Sequence, residues 1–516
     1  MPHPNILLIT SDQQRADCYG FANPQVLTPH LDRLARDGTR FDACITPNLV
    51  CQPSRASILT GMLPLTHGVW DNGVDLDPAV GARGFAGALA ARGYATAFIG
   101  KAHFATKATF APTGTPEDRF NGALYDPERG WHGPYMGFEH CDLMVLGHMH
   151  RNRPLQQPIT GHYERWLAGI GRGEQAGEAL RLWASETRPG NGAAQTWSSG
   201  LPTAWHSSTW VADRTLDWIA RRDPSQPFCA WASFPDPHHP FDAPDPWSRL
   251  YDPRALRLPE HRVRDLERRP WWHRAVLEGT PDLSDPTMLR FRTEGSRCPP
   301  QTDAQLAEMT ANYYAMISLI DHSVGRMLEG LNSAGLADNT LVVFTTDHGD
   351  LLGNHGLYLK HPIPYEDLLR VGLIVRGPGV RAGEVVHEPV STLDLAATFC
   401  AAGGATLPDS AQGTSLAKLL AGEAERRVAA WSEWHVHASR CGVALALRTV
   451  RTRTAKCTFE LESGAGELYD LAHDPGEMVN RFGDPSYKGV QDELEQLMRA
   501  RPGPVCERLA TPIGMA

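Results

Sequence analysis

The chain alternates between short unbroken apolar runs and longer stretches in which apolar residues return every three or four positions. Asn5–Thr10, Tyr94–Ile99, Phe228–Ser233, Thr340–Thr346 and Leu373–Val375 are runs of the first kind. A strand has this pattern when both of its faces are covered, as in a parallel sheet flanked by helices. Helical patterns lie between them. Thr28-Pro29 opens one, with Pro at the first helical position, Leu31, Leu34 and Ala35 on one face, and Gly38 as its stop. Pro53–Leu59 starts another, and Phe85–Arg92 ends at Gly93. Thr209–Arg221 is amphipathic, and Asp303–Leu331 is long. Strand and helix alternating over about 400 residues predict an α/β domain.

Two stretches break the rhythm. Residues 105–205 are rich in Gly, Pro, Trp and His, and residues 235–300 in Pro and Arg. Insertions of that length in a compact domain are usually covers over a site. Past residue 424 the runs shorten and alternate: Val428–Trp434, Val443–Val450, Cys457–Glu462 and Glu467–Leu471, closed by a helix at Val490–Arg499. The expected architecture is therefore α/β, a large, mostly parallel sheet sandwiched by helices over residues 1–424. A small C-terminal antiparallel α+β subdomain follows over 425–516.

Composition narrows the class. Of the 516 residues, 42% are hydrophobic and 21% charged, which excludes a disordered or fibrous chain. Lys+Arg 49 against Asp+Glu 59 leaves a net charge of −10, so no basic face is expected and nucleic acid is not a partner. No stretch approaches the roughly 18–20 apolar residues of a membrane span. Met1 to Asn5 lacks the basic-then-apolar opening of a secretory signal, and ten scattered cysteines include no C-x-x-C pair. A cytoplasmic protein with reduced thiols is expected.

Candidate chemistry gathers where strands end, which in an open α/β sheet is where ligands bind. Asp12-Gln13, Lys101-Ala102-His103, Asp347-His348-Gly349-Asp350 and the Pro237-His238-His239 segment all follow predicted strands. Asp12, Gln13, Asp347 and His348 offer carboxylate and amide oxygens and an imidazole, suited to one hard divalent cation. Lys101, Lys360 and Arg55 would add positive charge, making an anion pocket in an acidic protein. Cys51 precedes a Pro-initiated helix, where the helix dipole stabilises an anion. By its residues alone it reads as a thiolate nucleophile or as a small buried hydrophobe.

The segment Cys51-Gln52-Pro53-Ser54-Arg55-Ala56-Ser57-Ile58-Leu59-Thr60-Gly61 also resembles the C-x-P-S-R-x-x-x-L-T-G signature of the type I sulfatases, in the alkaline phosphatase superfamily. Other segments resemble that family in turn: Asp12-Gln13, Thr66-His67-Gly68 with Asn72, Gly100-Lys101-Ala102-His103 and Pro237-His238-His239-Pro240-Phe241. So do Thr346-Asp347-His348-Gly349, Lys360 and the C-terminal Gly466–Leu471. The resemblance implies that Cys51 is converted to formylglycine by a formylglycine-generating enzyme, and that the aldehyde hydrate attacks sulfur to give a sulfated enzyme. It further implies one divalent metal on Asp12, Gln13, Asp347, His348 and residue 51, with Ca²⁺ as the family default and Mn²⁺ or Mg²⁺ as alternatives. Arg55 would hold the diol. Asn72, Lys101, His238 and Lys360 would bind the sulfate ester, His238 as general acid, and His103 would take the proton that expels sulfate. Relatives often form dimers or tetramers.

Two departures matter. Gln13 stands where many sulfatases carry a second Asp, and His348 where some carry Asn, and both resemble phosphonate monoester hydrolases and phosphodiesterases of the same superfamily. Lys101 and His103 stand against that, since those relatives resemble this region but carry Tyr and Thr. Sulfate-ester hydrolysis is the expectation, and phosphonate or phosphodiester hydrolysis the alternative. A non-catalytic pseudo-enzyme would have lost one of these residues, and none is lost. Tyr125, Trp131 and Tyr135 are candidates for an aromatic lid, and His148 and His150 for a pocket wall.

Overall fold

The computed structural model describes residues 3–109, 112–118, 125, 130–145, 160–170, 177–506 and 509–515. His148 and His150 lie outside the described residues. In chain order the strands are β1 (Asn5–Ser11), β2 (Thr39–Ile45), β3 (Ala95–Lys101), β4 (Ala108–Thr109), β5 (His140–Met144), β6 (Phe228–Ser233), β7 (Thr340–Thr346) and β8 (Arg370–Arg376). They continue with β9 (Glu384–Val386), β10 (Val390–Ser391), β11 (Ala430–Val436), β12 (Leu445–Arg451), β13 (Ala455–Glu460), β14 (Gly466–Asp470) and β15 (Gly514–Met515).

Nine of these strands form the large sheet, in the order β10-β2-β8-β7-β1-β6-β3-β5 with β9 also on β2. Among the described strands only β8 runs against its neighbours there, so the sheet is mostly parallel, as the apolar runs predict. Both faces are buried. Ile6, Leu8, Phe98, Trp231 and Val343 face one core with the helices Cys51–Thr60, Phe85–Ala90 and Asp394–Gly403. Leu7, Ile9, Ala97, Ala232 and Phe344 face the other, under Pro29–Arg36, Ser207–Arg221 and Asp303–Ser333. A second sheet, β11-β12-β13-β14, is antiparallel throughout and is covered by the helix Lys488–Arg499. Among the described residues no helix is long and apolar enough to cross a membrane.

Register sets where the site will be. Ser11 pairs with Thr346 and Thr10 with Ser233, while Gly100 also pairs with Ser233. The residues that follow these positions, Asp12, Lys101 and Asp347, therefore emerge side by side at one sheet edge. Gly100 permits the tight packing of β3 on β6: a Cβ there would lie 1.9 Å from the Ser233 carbonyl oxygen, and its φ is 111°. Gly349 is required for a like reason, since a Cβ would meet the Asp367 carbonyl oxygen at 1.8 Å.

Candidate active site

Cys51 is the first residue of the helix Cys51–Thr60, which stops at Gly61 in the left-handed conformation, φ 69°. Its sulfur is buried among the strand ends. Lys360 Nζ lies 3.1 Å from Sγ, His348 Nε2 3.3 Å, Asp12 Oδ1 3.8 Å and Lys101 Nζ 4.0 Å. Burial and the Asp12 charge act to raise the thiol, yet Lys101, Lys360 and His348 together bring it down to about 7. The helix start thus presents an anion-stabilising pocket, in keeping with a Cys placed just before Pro.

Arg55, one helical turn on, is fully buried and organises the carboxylates. Its Nε donates to Asp347 Oδ2 at 2.9 Å and Nη2 to Asp12 Oδ2 at 3.1 Å. Nη1 donates to Ser233 Oγ and the Lys101 carbonyl, both at 2.7 Å. These bonds leave little of the guanidinium for a ligand, so Arg55 is placed to position Asp12 and Asp347. Lys101 Nζ sits 2.5 Å from Asp12 Oδ2. Against burial, the Lys101, Arg55, Lys360 and His348 charges hold the Asp12 carboxyl well below the usual range. Ser54 and Thr46 hydroxyls both donate to the Asp347 carbonyl, at 2.6 and 2.5 Å, tying the helix to the end of β7.

The remaining candidates converge from loops. His348 donates Nδ1–H to the Gly349 carbonyl at 2.9 Å and turns Nε2 toward Cys51, where it carries a lone pair once the ring is neutral. His238 makes the analogous Nδ1–H bond to the His239 carbonyl at 2.5 Å, and its Nε2 lies 3.0 Å from Lys360 Nζ. His239 stacks on His238 and faces the Gln13 amide nitrogen at 3.2 Å. Asn72 Oδ1 accepts the Gln52 backbone N–H at 3.0 Å, beside Cys51. His103 is buried, and neither ring nitrogen has a hydrogen-bond partner among the described residues. Burial together with the Lys101, Lys107 and Arg55 charges holds its imidazole well below its ordinary value, and therefore neutral. Gln13 and His103 both have left-handed backbones, φ 66° and 54°, a conformation rare outside glycine and concentrated at functional sites.

The donors fit one divalent cation. Asp12, Asp347 and His348 place ligand atoms within 4.8 Å of one another and of Cys51 Sγ. Gln13 adds a buried amide oxygen with no hydrogen-bond partner among the described residues, while its NH2 donates to Asp350. An orphaned buried oxygen beside two carboxylates and an imidazole lone pair is what an oxygen-preferring ion would complete.

Several participants carry no local sequence signal. Ser233 bonds Arg55 across 178 residues, and Tyr313 donates to the Gln13 carbonyl across 300, at 2.6 Å. Glu117 accepts the backbone N–H groups of His103, Phe104 and Ala105 at 2.5, 3.0 and 3.1 Å, fixing the turn that presents His103. Of the aromatic lid candidates, Tyr135 is buried and donates to Glu117 at 2.8 Å, so it braces the carboxylate that holds that turn. Tyr125 and Trp131 pack edge to face at 5.1 Å.

The family model described as sulfatase matches residues 4–405, and one described as the C-terminal part of N-sulphoglucosamine sulphohydrolase matches 353–502. An arylsulfatase of Clostridium perfringens is 29% identical over 96% of this chain and 93% of its own. An N-acetylglucosamine-6-O-sulfatase of Bacteroides thetaiotaomicron is 27% identical over 96% of this chain and 85% of its own. Among solved structures, a phosphonate monoester hydrolase of Agrobacterium radiobacter superposes with a TM-score of 0.73 at 26% identity, covering 96% of this chain and 95% of that one. With a match across most of its length and the strand-end constellation in place, the chain belongs to the sulfatase family of sulfuric ester hydrolases.

Proposed function

We propose that the enzyme hydrolyses a sulfate monoester to alcohol and sulfate, using residue 51 as formylglycine and one divalent metal. The observation that carries the choice of ester is the end of β3, where Lys101 lies 4.0 Å from Cys51 Sγ and His103 follows two residues on, buried and with both ring nitrogens unbonded among the described residues. Lys101 and Lys360 flank the sulfur at 4.0 and 3.1 Å, placed to neutralise the equatorial oxygens of a compact anion. Formylglycine at 51 would supply an aldehyde hydrate as nucleophile. A cation on Asp12, Gln13, Asp347 and His348 would supply Lewis acidity, with Ca²⁺ favoured by the oxygens and Mn²⁺ or Mg²⁺ admissible.

The chain's own residues then divide the work. Arg55 keeps both carboxylates oriented. His238, its Nδ1–H committed to a backbone carbonyl, would as imidazolium carry its second proton on Nε2, give that proton to the leaving oxygen and return to the neutral ring. His103, with both ring nitrogens unbonded among the described residues, is the group left to take the proton that expels sulfate. Asn72 engages its Oδ1 with the Gln52 N–H, and its NH2 donates to no described residue, which leaves it for the ester.

A second reading, phosphonate monoester hydrolysis, is favoured by the Asp-Gln and Asp-His pairs and by the fold match to a hydrolase of that kind. Paired kcat/KM values decide between them, on protein co-expressed with a formylglycine-generating enzyme. The substrates are a sulfate and a phosphonate monoester bearing the same aryl leaving group. Preference for sulfate supports the reading from Lys101 and His103; preference for the phosphonate, or parity, replaces it.

A further inference from the structure

A second convergence of ligand groups lies at the edge of the large sheet, away from the catalytic donors. β5 ends the strand order and, among the described strands, pairs with β3 alone. His140 opens β5 and Asp142 follows two residues on, which puts their side chains on one face. The chain before β5 doubles back on itself. Tyr135 and Phe138 exchange both backbone hydrogen bonds at 2.9 Å, and Cys141 donates its N–H to the His132 carbonyl at 2.7 Å. That return lays His132 against His140, with the two rings parallel to within 8° and 5.3 Å apart. One short hairpin therefore brings two imidazoles to a single carboxylate.

Each of the three residues turns a ligand atom to the others. His132 Nδ1 lies 2.7 Å from Asp142 Oδ1 and His140 Nε2 3.4 Å from Asp142 Oδ2, and all three ligand atoms fall within 4.8 Å of one another. Ligands held about 2.0–2.2 Å from one tetrahedral ion sit about 3–3.5 Å apart, so a small inward adjustment completes the set. Hydrogen bonding does not account for the arrangement. His140 Nε2 is sealed from solvent, yet its contact with Asp142 makes no hydrogen bond, nor does it bond any other described residue. A buried ring nitrogen in that condition forfeits a bond that an ion between the three residues would restore. A third imidazole, His162 at the start of the helix His162–Ala168, is already committed. Its Nδ1 accepts the Leu143 N–H at 3.0 Å and its Nε2–H donates to the Trp131 carbonyl at 3.0 Å, so it backs the cluster and holds the segment that carries His132. The His132 side chain is 44% exposed, which gives an ion a way in from solvent.

We propose that His132, His140 and Asp142 form a second metal site, for zinc, which clamps the hairpin at 132–141 to the start of the edge strand. Two imidazoles and one carboxylate suit a borderline divalent ion such as Zn²⁺ better than the oxygen-preferring Ca²⁺ or Mg²⁺. The site shares no residue with the catalytic donors and does not depend on which ester is cleaved. Its reach is nonetheless toward them. The clamped hairpin carries Tyr135, whose hydroxyl bonds Glu117 at 2.8 Å, and Glu117 holds the turn that presents His103.

Calorimetric titration with ZnCl2 tests this on the full chain without an affinity tag, in excess Ca²⁺ so that the catalytic donors are occupied. Wild type is expected to take up one zinc more than either His132→Gln or His140→Gln, with a Kd of about 1 μM or tighter. Each variant is expected to bind that ion about 100-fold or more weakly while its Ca²⁺ uptake stays unchanged. Zinc is expected to raise the melting temperature of wild type and to leave that of His132→Gln where it was. The exposure of His132 makes its variant the one that keeps the fold should His140→Gln lose it. Equal zinc uptake by wild type and His132→Gln overturns the site, as does a variant that loses zinc and Ca²⁺ together, since the ion then belongs to the catalytic donors.

Discussion

Two buried charge clusters in this molecule invite comparison. One joins the antiparallel sheet to the large one. There Lys456 Nζ pairs with Glu477 Oε1 and donates to the Pro364 carbonyl, while Glu477 Oε2 accepts the Glu366 backbone N–H at 2.6 Å. Glu366 in turn faces Arg451 at 3.3 Å and Arg370 at 3.6 Å. Each carboxylate has its own cation, although Glu366 Oε1 and Arg451 Nε and Nη1 have no hydrogen-bond partner among the described residues. At the strand ends, by contrast, Arg55, Lys101 and Lys360 share two carboxylates, and Lys360 reaches only sulfur and two imidazoles among the partners described. His103 and Gln13 Oε1 are left without hydrogen bonds among the described residues. Burial, charge and unpartnered atoms occur in both clusters; the excess of cation that leaves the strand-end cluster open is Lys360, which meets no carboxylate among the described residues.

The sharpest separation is between Cys51 and Lys456. Cys51→Ala is expected to lower turnover by at least about 10⁴-fold, the scale of a lost nucleophile, with the unfolding midpoint nearly unmoved. Asp347→Ala should lose bound metal and activity together, read by metal content after gel filtration; retained metal would remove Asp347 from the ligand set. Lys456→Met should do the reverse of Cys51→Ala. It leaves Glu477 buried beside no cation and is expected to cost about 3–5 kcal/mol in denaturant unfolding, with kcat/KM little changed. Loss of activity at full stability would erase the distinction between the clusters.

A finer test lies within the open cluster. His238→Ala is expected to reduce kcat/KM by about 10²-fold or more for aryl sulfates with basic leaving groups, and far less for acidic ones, because only the former need the proton. Equal losses along the series would remove His238 as the acid.

The open cluster is also the more legible of the two. Strands such as Phe228–Ser233 and Thr340–Thr346 are readable to the residue because burial on both faces makes them continuous apolar runs. The polar residues that interrupt those runs at their ends make up the candidate site. Strand β2, Thr39–Ile45, carries Arg40 and Asp42 and a bulge between Phe41 and Cys44, so no run announces it. Strand β5 begins at His140 on the sheet edge and is hidden for the same reason. Glu117, Ser233 and Tyr313 act through bonds to distant backbone or to Arg55, and a side chain's service to a remote carbonyl leaves no periodicity to find.

Glu117 gives the smallest and most conditional effect, because it belongs to both kinds of cluster: it is closed by four donors, yet it serves the open one by holding His103. Burial pushes its carboxyl up to about 7, while the Tyr135 hydroxyl and three backbone N–H groups pull it down. A carboxyl raised in the folded state gives stability that is full below the unfolded value, near 4.5, and is lost as pH rises through about 7. Glu117→Gln removes that titration and keeps one acceptor oxygen for the turn. The stability advantage of wild type over the variant should therefore shrink between pH 5 and pH 8, by about 3 kcal/mol at most. A gap independent of pH would show that the carboxyl stays ionised throughout. On activity, Gln is expected to hold kcat/KM within about tenfold, whereas Glu117→Ala, with no acceptor for the His103 N–H, should lose about a hundredfold through misplacement of the imidazole. Rescue of Ala by Gln is what separates a residue that positions His103 from one that merely fills the space beneath it.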